Sequence, residues 1–306
     1  MASEGGLVRA WNSDLAYSFR HSPVTVVAAA LTGVCLVGAL FAPWLSAQDP
    51  FNASSLNLSD AFIPPAWLPD GRIAFPLGTD NQGRDILSTI LYGGRISLAV
   101  SLASVALAMV LGVMLGLASG FLGGRIDAFI MRVADVQLSF PAILVALLID
   151  GVARVALPRE SHDAVAVPVL VVAIALSGWV QYARTVRGST LVEKNKEYVQ
   201  AARVIGRAPL AIMLRHVLPN ALGPVLVIAT IHIATAIITE ATLSFLGIGV
   251  PVTQPSLGTL IRVGNDFLFS GEWWITVFPG IALVVFVLAV NLLGDWLRDA
   301  MNPKLR

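Results

Sequence analysis

The stretch ISLAVSLASVALAMVLGVMLGL, Ile96 to Leu117, carries no charged side chain from end to end. A helix that crosses a hydrocarbon core of about 30 Å needs roughly 20 consecutive apolar residues. This run meets that length without interruption, so its solvent is lipid. Ser97, Ser101, Ser104, Gly112 and Gly116 dot it with small residues, which let helices approach closely where no water drives them together. The run therefore reads as a transmembrane helix built to pack against protein.

Five more runs of similar length lie around it: Val24 to Ala42, Phe129 to Ile149, Val165 to Ala183, Ala221 to Thr239 and Ile275 to Leu293. Composition agrees, with 56% hydrophobic and 13% charged residues against about 25% charged in ordinary soluble domains. The fold class is an all-α integral membrane protein of about six spans. The first run is longer than the roughly 7 to 15 apolar residues of a signal peptide and reads as an uncleaved anchor, covering 24–45 with its flank. Before it, in the N-terminal segment 1–23, Leu7, Trp11, Leu15 and Phe19 recur at spacing four. That spacing suits one side of a surface-lying helix, and a flexible tail fits the same residues.

Residues 46–95 hold Pro50, Pro64, Pro65, Pro69 and Pro76 and read as a long extramembrane loop. The transmembrane core spans 96–295, with loops at 184–219 and 240–274, and a tail at 296–306. Six spans put both termini on one side. Segments 1–23, 122–135, 184–219 and 295–306 hold 14 of the 20 Lys and Arg residues, so by the positive-inside rule both termini and the loop 184–219 face the cytosol. The formal charge of +1 gives no basic stripe of the kind nucleic acid requires. The one cysteine, Cys35, excludes an intrachain disulfide and a cysteine-rich metal cluster. No metal or catalytic site is expected.

The loop 184–219 is the most informative. In EYVQAARVIG, Glu197 to Gly206, residues Tyr198, Ala201, Ala202 and Ile205 fall at i, i+3, i+4 and i+7, with Gln200, Arg203 and Arg207 opposite; that is an amphipathic helix. Gly206 suits the left-handed residue that closes a helix, and Pro209 suits the first turn of the next, which is expected to stop at Leu218 before Pro219. Such a pair of short helices serves either as a docking element or as a cover over the ends of spans four and five.

Glu197 to Gly206, followed by Arg215, His216 and Leu218-Pro219-Asn220, resembles the cytosolic loop of ATP-binding-cassette (ABC) importer permeases, of the type I importer-like fold. The resemblance implies that Glu197, Tyr198, Ala201, Ala202, Arg203, Gly206, Arg207 and Arg215 couple to an ATPase. Three further segments are similar to the C-type permease of the dipeptide, oligopeptide and nickel branch: GTDNQGRDIL (Gly78 to Leu87), MRVADVQLSFP (Met131 to Pro141) and EATLSFLGIGVP (Glu240 to Pro251). They imply external signature positions at Gly78, Thr79, Asp80, Gly83, Arg84, Asp85, Ser244, Gly247 and Gly249. They also imply residence in a bacterial cytoplasmic membrane and four kinds of partner: a second homologous permease, two ATPase subunits carrying ATP and Mg, an external solute-binding protein, and lipid. Di- or oligopeptides are the expected cargo; nickel chelates, opines and glutathione are handled by the same branch.

Local readings accompany these segments. Thr79 and Gln82 have capping-box spacing. Arg132 and Asp135, three apart, suit an ion pair. On span five, His232, Thr235 and Thr239 fall at i, i+3 and i+7, with Glu240 beyond, a polar stripe that fits a translocation path as well as a histidine bonded to a neighbouring helix. A Gly-x-x-x-x-Gly-Lys-Ser/Thr phosphate loop is missing from the sequence, so ATP hydrolysis is expected on partner chains. An ion-driven secondary transporter should show carboxylates at midspan, and acidic residues here sit at span ends; a membrane scaffold is the remaining alternative.

Overall fold

The computed structural model describes residues 14–52, 56–158 and 162–300, and every regular element among them is helical. In chain order these are α1 (Asp14–His21), α2 (Pro23–Leu40), α3 (Ala42–Leu45), α4 (Ile86–Leu122), α5 (Gly124–Leu138), α6 (Ala142–Ala156), α7 (His162–Glu193), α8 (Glu197–Val204), α9 (Pro209–Ile212), α10 (Leu218–Ala221), α11 (Gly223–Phe245), α12 (Leu257–Asn265) and α13 (Trp274–Ala300). Five of them, α2, α4, α7, α11 and α13, are long and apolar enough to cross a membrane. The pair α5 and α6 makes a sixth span if counted as one, but it is bent by 97°.

That bend corrects the expectation of one straight third span from Phe129 to Ile149. The cause is local. Ser139 and Phe140 close tight turns back to Val136 and Gln137, and Pro141, which has no N–H to donate, stands at the N-cap of α6. Other boundaries move as well, with α7 running ten residues into the expected loop 184–219 and α13 reaching Ala300 in the expected tail. The expected loop 46–95 gives up its last ten residues to α4, because the Asp85 carboxylate caps that helix, accepting from Ser88 N at 2.8 Å and Ser88 Oγ at 2.6 Å. The expected loop 240–274 contains the end of α11 and the whole of α12.

The chain divides into two compact units, Ile96–Arg262 and Met1–Arg95 with Val263–Arg306. In the second of these, α13 packs along α2, Phe19 of α1 stacks edge-on with Trp296 at 5.2 Å, and a core forms from Ile86, Trp274 and Ile275. Leu7, Trp11 and the Leu15 side chain lie outside the described residues.

The segment Gly78 to Asp85 is the polar knot of that unit. Thr79 Oγ1 accepts from Ile63 N at 2.8 Å and donates to Asp60 O at 2.5 Å, while Thr79 O accepts from Trp274 Nε1 at 3.0 Å. Asp80 and Arg84 form an ion pair of 2.6 Å with both side chains buried. Gly78 has φ +83°, and a Cβ there would meet Ile63 O at 2.6 Å, so only glycine fits. Thr79 and Gln82 do not form the expected capping box, since no helix begins at Thr79.

In the unit Ile96–Arg262, α4 lies against α7 through Gly112, Gly116 and Gly120, where any Cβ would collide with backbone or Cβ atoms of Trp179 to Thr190. Helix α5 is fastened to α7 by polar contacts. Asp127 accepts from Arg187 Nε and Nη2 at 2.5 and 2.7 Å, Asp135 from Arg184 Nη2 at 2.6 Å, and Gln137 Oε1 from Trp179 Nε1 at 2.6 Å. The partner of Asp135 is therefore Arg184 on another helix, not Arg132 on its own. Outward faces are apolar: Val110, Met114, Leu148 and Val155 are all exposed, an arrangement suited to lipid and not to water.

Candidate functional site

Helix α8 begins after a short turn that leaves α7, and its entry is pinned by polar contacts. Lys196 Nζ donates to Glu193 Oε1 at 2.7 Å, and Tyr198 Oη donates to Glu193 Oε2 at 2.5 Å. Asn220 Nδ2 donates to Tyr198 Oη at 3.2 Å and to His216 O at 2.7 Å, tying α8 to α10. Burial first, and the neighbouring Glu193 carboxylate second, push the Tyr198 phenol up to about 12.

The buried face of α8 is Val199 and Ala202. Both join a core with Leu117 of α4, Val186 of α7, Ile212 of α9 and Val225 of α11, so this short helix is packed on three long ones. The expected face of Tyr198, Ala201, Ala202 and Ile205 is corrected: Ala201 and Ile205 point outward. Hydropathy groups those residues, whereas the partner helices select the Val199 side.

The end of α8 closes as a Schellman motif. Gly206 has φ +80°, Arg207 N bonds to Ala202 O at 3.1 Å and Gly206 N to Arg203 O at 2.9 Å. The chain then turns through Pro209, at the start of α9. Beyond α9 the path departs from expectation, because Pro219 does not end the helix at Leu218. One π turn, Met213–Val217, intervenes, with Leu218 N bonded to Met213 O, and Pro219 sits in the first turn of α10, which carries the path on to Ala221. Between α8 and α9 every residue from Arg203 to Leu210 is exposed. Val204, Ile205 and Leu210 are 89%, 78% and 61% exposed, with Arg203, Arg207 and Arg215 exposed around them. The result is an apolar tip with a basic rim on a rigid base.

The stripe on α11 is split by the packing. His232 is buried and its Nδ1 lies 2.9 Å from Tyr182 Oη of α7, the ring filling the space left by Gly178. Glu240 is fully buried; its Oε1 accepts from Ser244 Oγ at 2.7 Å. Thr235 faces outward with Ile238 and Phe245, and the hydroxyls of Thr235 and Thr239 bond back to Ile231 O and Thr235 O. The three stripe residues span about 60° of the helix, and the boundary between buried and exposed faces runs through that arc. His232 and Glu240 thus belong to the interior, Thr235 to the outer face.

After α11 the segment from Ser244 folds back on itself. Ser244 Oγ accepts from Val250 N at 3.3 Å, Ile248 N bonds to Leu243 O at 3.0 Å, and Gly247 takes φ +83°. Among the described residues no cluster of His, Cys, Asp and Glu could hold a metal. Sequence reasoning misses Val199, the α5 to α7 fastening and Tyr182, whose partners lie far along the chain.

Long apolar helices with a braced, exposed helical knob between α7 and α11 describe a membrane-embedded subunit that carries a contact element. The chain belongs to the family of binding-protein-dependent transport system inner membrane components, matched over residues 90–306. It is a multi-pass permease subunit of an ABC importer. It is 38% identical over 88% of its length to the di/tripeptide transport system permease protein DppC of Pseudomonas aeruginosa (strain UCBPP-PA14), covering 84% of that protein. It is 36% identical over 96% of its length to the oligopeptide transport system permease protein OppC of Bacillus subtilis (strain 168), covering 90% of it. The fold matches a chain of the MetNI methionine ABC transporter, solved in inward-facing conformations, with TM-score 0.52 and 20% identity over 68% of this chain and 93% of that one.

Proposed function

We propose that this chain is the C-type permease of an ATP-driven importer of di- or oligopeptides, and that its α8 knob is the part gripped by an ATPase subunit. The observation that carries the coupling role is the exposed apolar tip of Val204, Ile205 and Leu210 on a base whose other face is locked into the core through Val199 and Ala202. Apolar residues that protrude beyond a helix end are costly in water and stabilising in a partner's groove. The basic rim of Arg203, Arg207 and Arg215 suits acidic residues around that groove and fixes its orientation. Because α8 shares one core with α4, α7 and α11, force on the knob reaches three long helices.

The basic bias supports a cytosolic knob and cytosolic termini. The chain hydrolyses nothing itself; ATP and Mg reside on two ATPase subunits, a second permease completes the path, and an external binding protein delivers solute. Peptide as cargo is supported by the two peptide permeases named above. The test is uptake of labelled dialanine into proteoliposomes carrying the full complex. Uptake should require ATP, and Ile205→Asp should abolish both uptake and co-purification of the ATPase. Uptake that persists without ATP or without ATPase subunits sinks the reading.

A further inference from the structure

Within the unit Ile96–Arg262, where α6 ends, α7 begins and the folded-back segment leads from α11 to α12, lies a half-open cavity of about 300 Å³. Its wall includes Arg154, His162, Asp163, Gly247, Val252 and Arg262. That volume is at the lower end of small-ligand sites. Its charges are mixed, and they are not spent on one another: among the described residues Asp163 forms no ion pair with either arginine.

Arg262 is the most telling member. Its Nε is buried and has no hydrogen-bond partner among the described residues, a state that is costly unless something outside the chain accepts that hydrogen. Its guanidinium has room because Gly247, at φ +83°, has no side chain; a Cβ there would stand 2.9 Å from Nη1. Arg154 is aimed rather than neutral filler, since its Nε is held by Asp150 Oδ2 at 2.6 Å. The His162 ring is fixed by Leu157 O at 3.0 Å from Nε2. The scaffold guanidinium of Arg84 has a carboxylate of its own in Asp80, whereas Arg262 has no ion pair among the described residues and its buried Nε has no partner there.

We infer that this cavity binds a small zwitterion, with the carboxylate of the solute at Arg262 and Arg154 and its ammonium group at Asp163. Guanidinium groups suit carboxylates through paired, charge-assisted hydrogen bonds, and a separate carboxylate on the same wall favours a ligand that carries both signs. A free peptide has those two ends, so the inference rests on the peptide reading above and deepens it. It gives this subunit a solute site of its own, within one chain.

The test uses the complex of both permeases and the ATPases in nanodiscs, without the binding protein. Binding of dialanine, dialanine amide, N-acetyl-dialanine and inorganic phosphate is measured by saturation-transfer NMR and titration calorimetry. Dialanine should bind, and each blocked form should bind at least about tenfold more weakly. Arg262→Gln should cost dialanine the same factor and cost the amide nothing further, and Asp163→Asn should do the same for the acetylated form. Equal binding of the free and blocked peptides overturns the inference, as does phosphate binding as well as dialanine, the mark of a plain anion site. If Arg262→Gln does not assemble, Arg154→Gln and the amide comparison on the unaltered complex still decide. Uptake of dialanine without binding here sinks only the cavity assignment. Binding without ATP-driven uptake sinks only the import reading.

Discussion

The knot at Gly78 to Asp85 and the knob at Glu197 to Leu210 are equally conspicuous as sequence and opposite as structure. In the knot nearly every polar group is turned inward onto its own unit: Thr79 bridges Asp60 and Ile63, Trp274 reaches Thr79, and Asp80 with Arg84 is a buried pair. In the knob the inner face is fully packed, and the residues beyond Ala202 are left outside, three of them large and apolar. Motif strength therefore does not separate scaffold from contact surface. Burial does. A segment that turns its polar groups inward onto its own unit holds the fold, and one that leaves apolar side chains in water is shaped for a partner.

Breaking the knot should cost most in stability. Arg84→Ala leaves the Asp80 carboxylate buried without its partner and is expected to destabilise the protein by about 3 to 5 kcal/mol, read as a fall in the unfolding midpoint of the detergent-solubilised chain. A loss under about 1 kcal/mol would mean that the pair is solvated and the contrast with the knob is false. Val204→Asp and Ile205→Asp should invert this pattern. Folding should stay within about 0.5 kcal/mol of the parent, because both side chains are already in solvent, while ATPase association weakens by about 2 kcal/mol or more, the size of an interface hot spot. If either variant unfolds the chain and leaves association intact, the tip is part of the core and the comparison collapses.

The range of each physical rule decides how much of this is legible in the sequence. The presence of long apolar spans, the terminating Gly206 and the opening Pro209 are decided within a few residues, and they stand where the pattern puts them. The side of α8 that is buried is decided by α4, α7 and α11, which no local pattern contains, so periodicity passes over Val199 and turns Ile205 inward. The same holds for Asp135, whose partner is 49 positions away, and for His232, 50 from Tyr182. Pro141 is in plain view, but the apolar run on both sides conceals that the chain breaks there and turns through 97°.

Closer to the knob, Gly206→Ala probes its closure alone. An L-residue held at φ +80° costs about 1 to 2 kcal/mol, which should loosen the turn between α8 and α9 without touching the core. Faster amide hydrogen exchange confined to residues 203 to 210, with coupled uptake reduced severalfold, is the expected outcome. Exchange unchanged across that turn would show that the tip is held by something other than the Schellman bonds.

The smallest effect tests the latch. Tyr198→Phe removes a hydroxyl that donates to Glu193 and accepts from Asn220, a loss of about 0.5 to 1.5 kcal/mol, smaller than any change to the knot because the site is half open to water. Its pH dependence is informative. The phenol is raised to about 12 in the folded chain from about 10 in an unfolded one. The stabilisation it contributes is therefore complete below about pH 10 and is lost only as pH climbs through about 12. Between about pH 6 and 9 the difference between parent and Tyr198→Phe should be flat. A difference that shrinks as pH rises across that window would mean that the hydroxyl is already ionising there, that Glu193 does not receive its proton in a hydrogen bond, and that α8 is held to α7 by the Val199 and Ala202 packing alone.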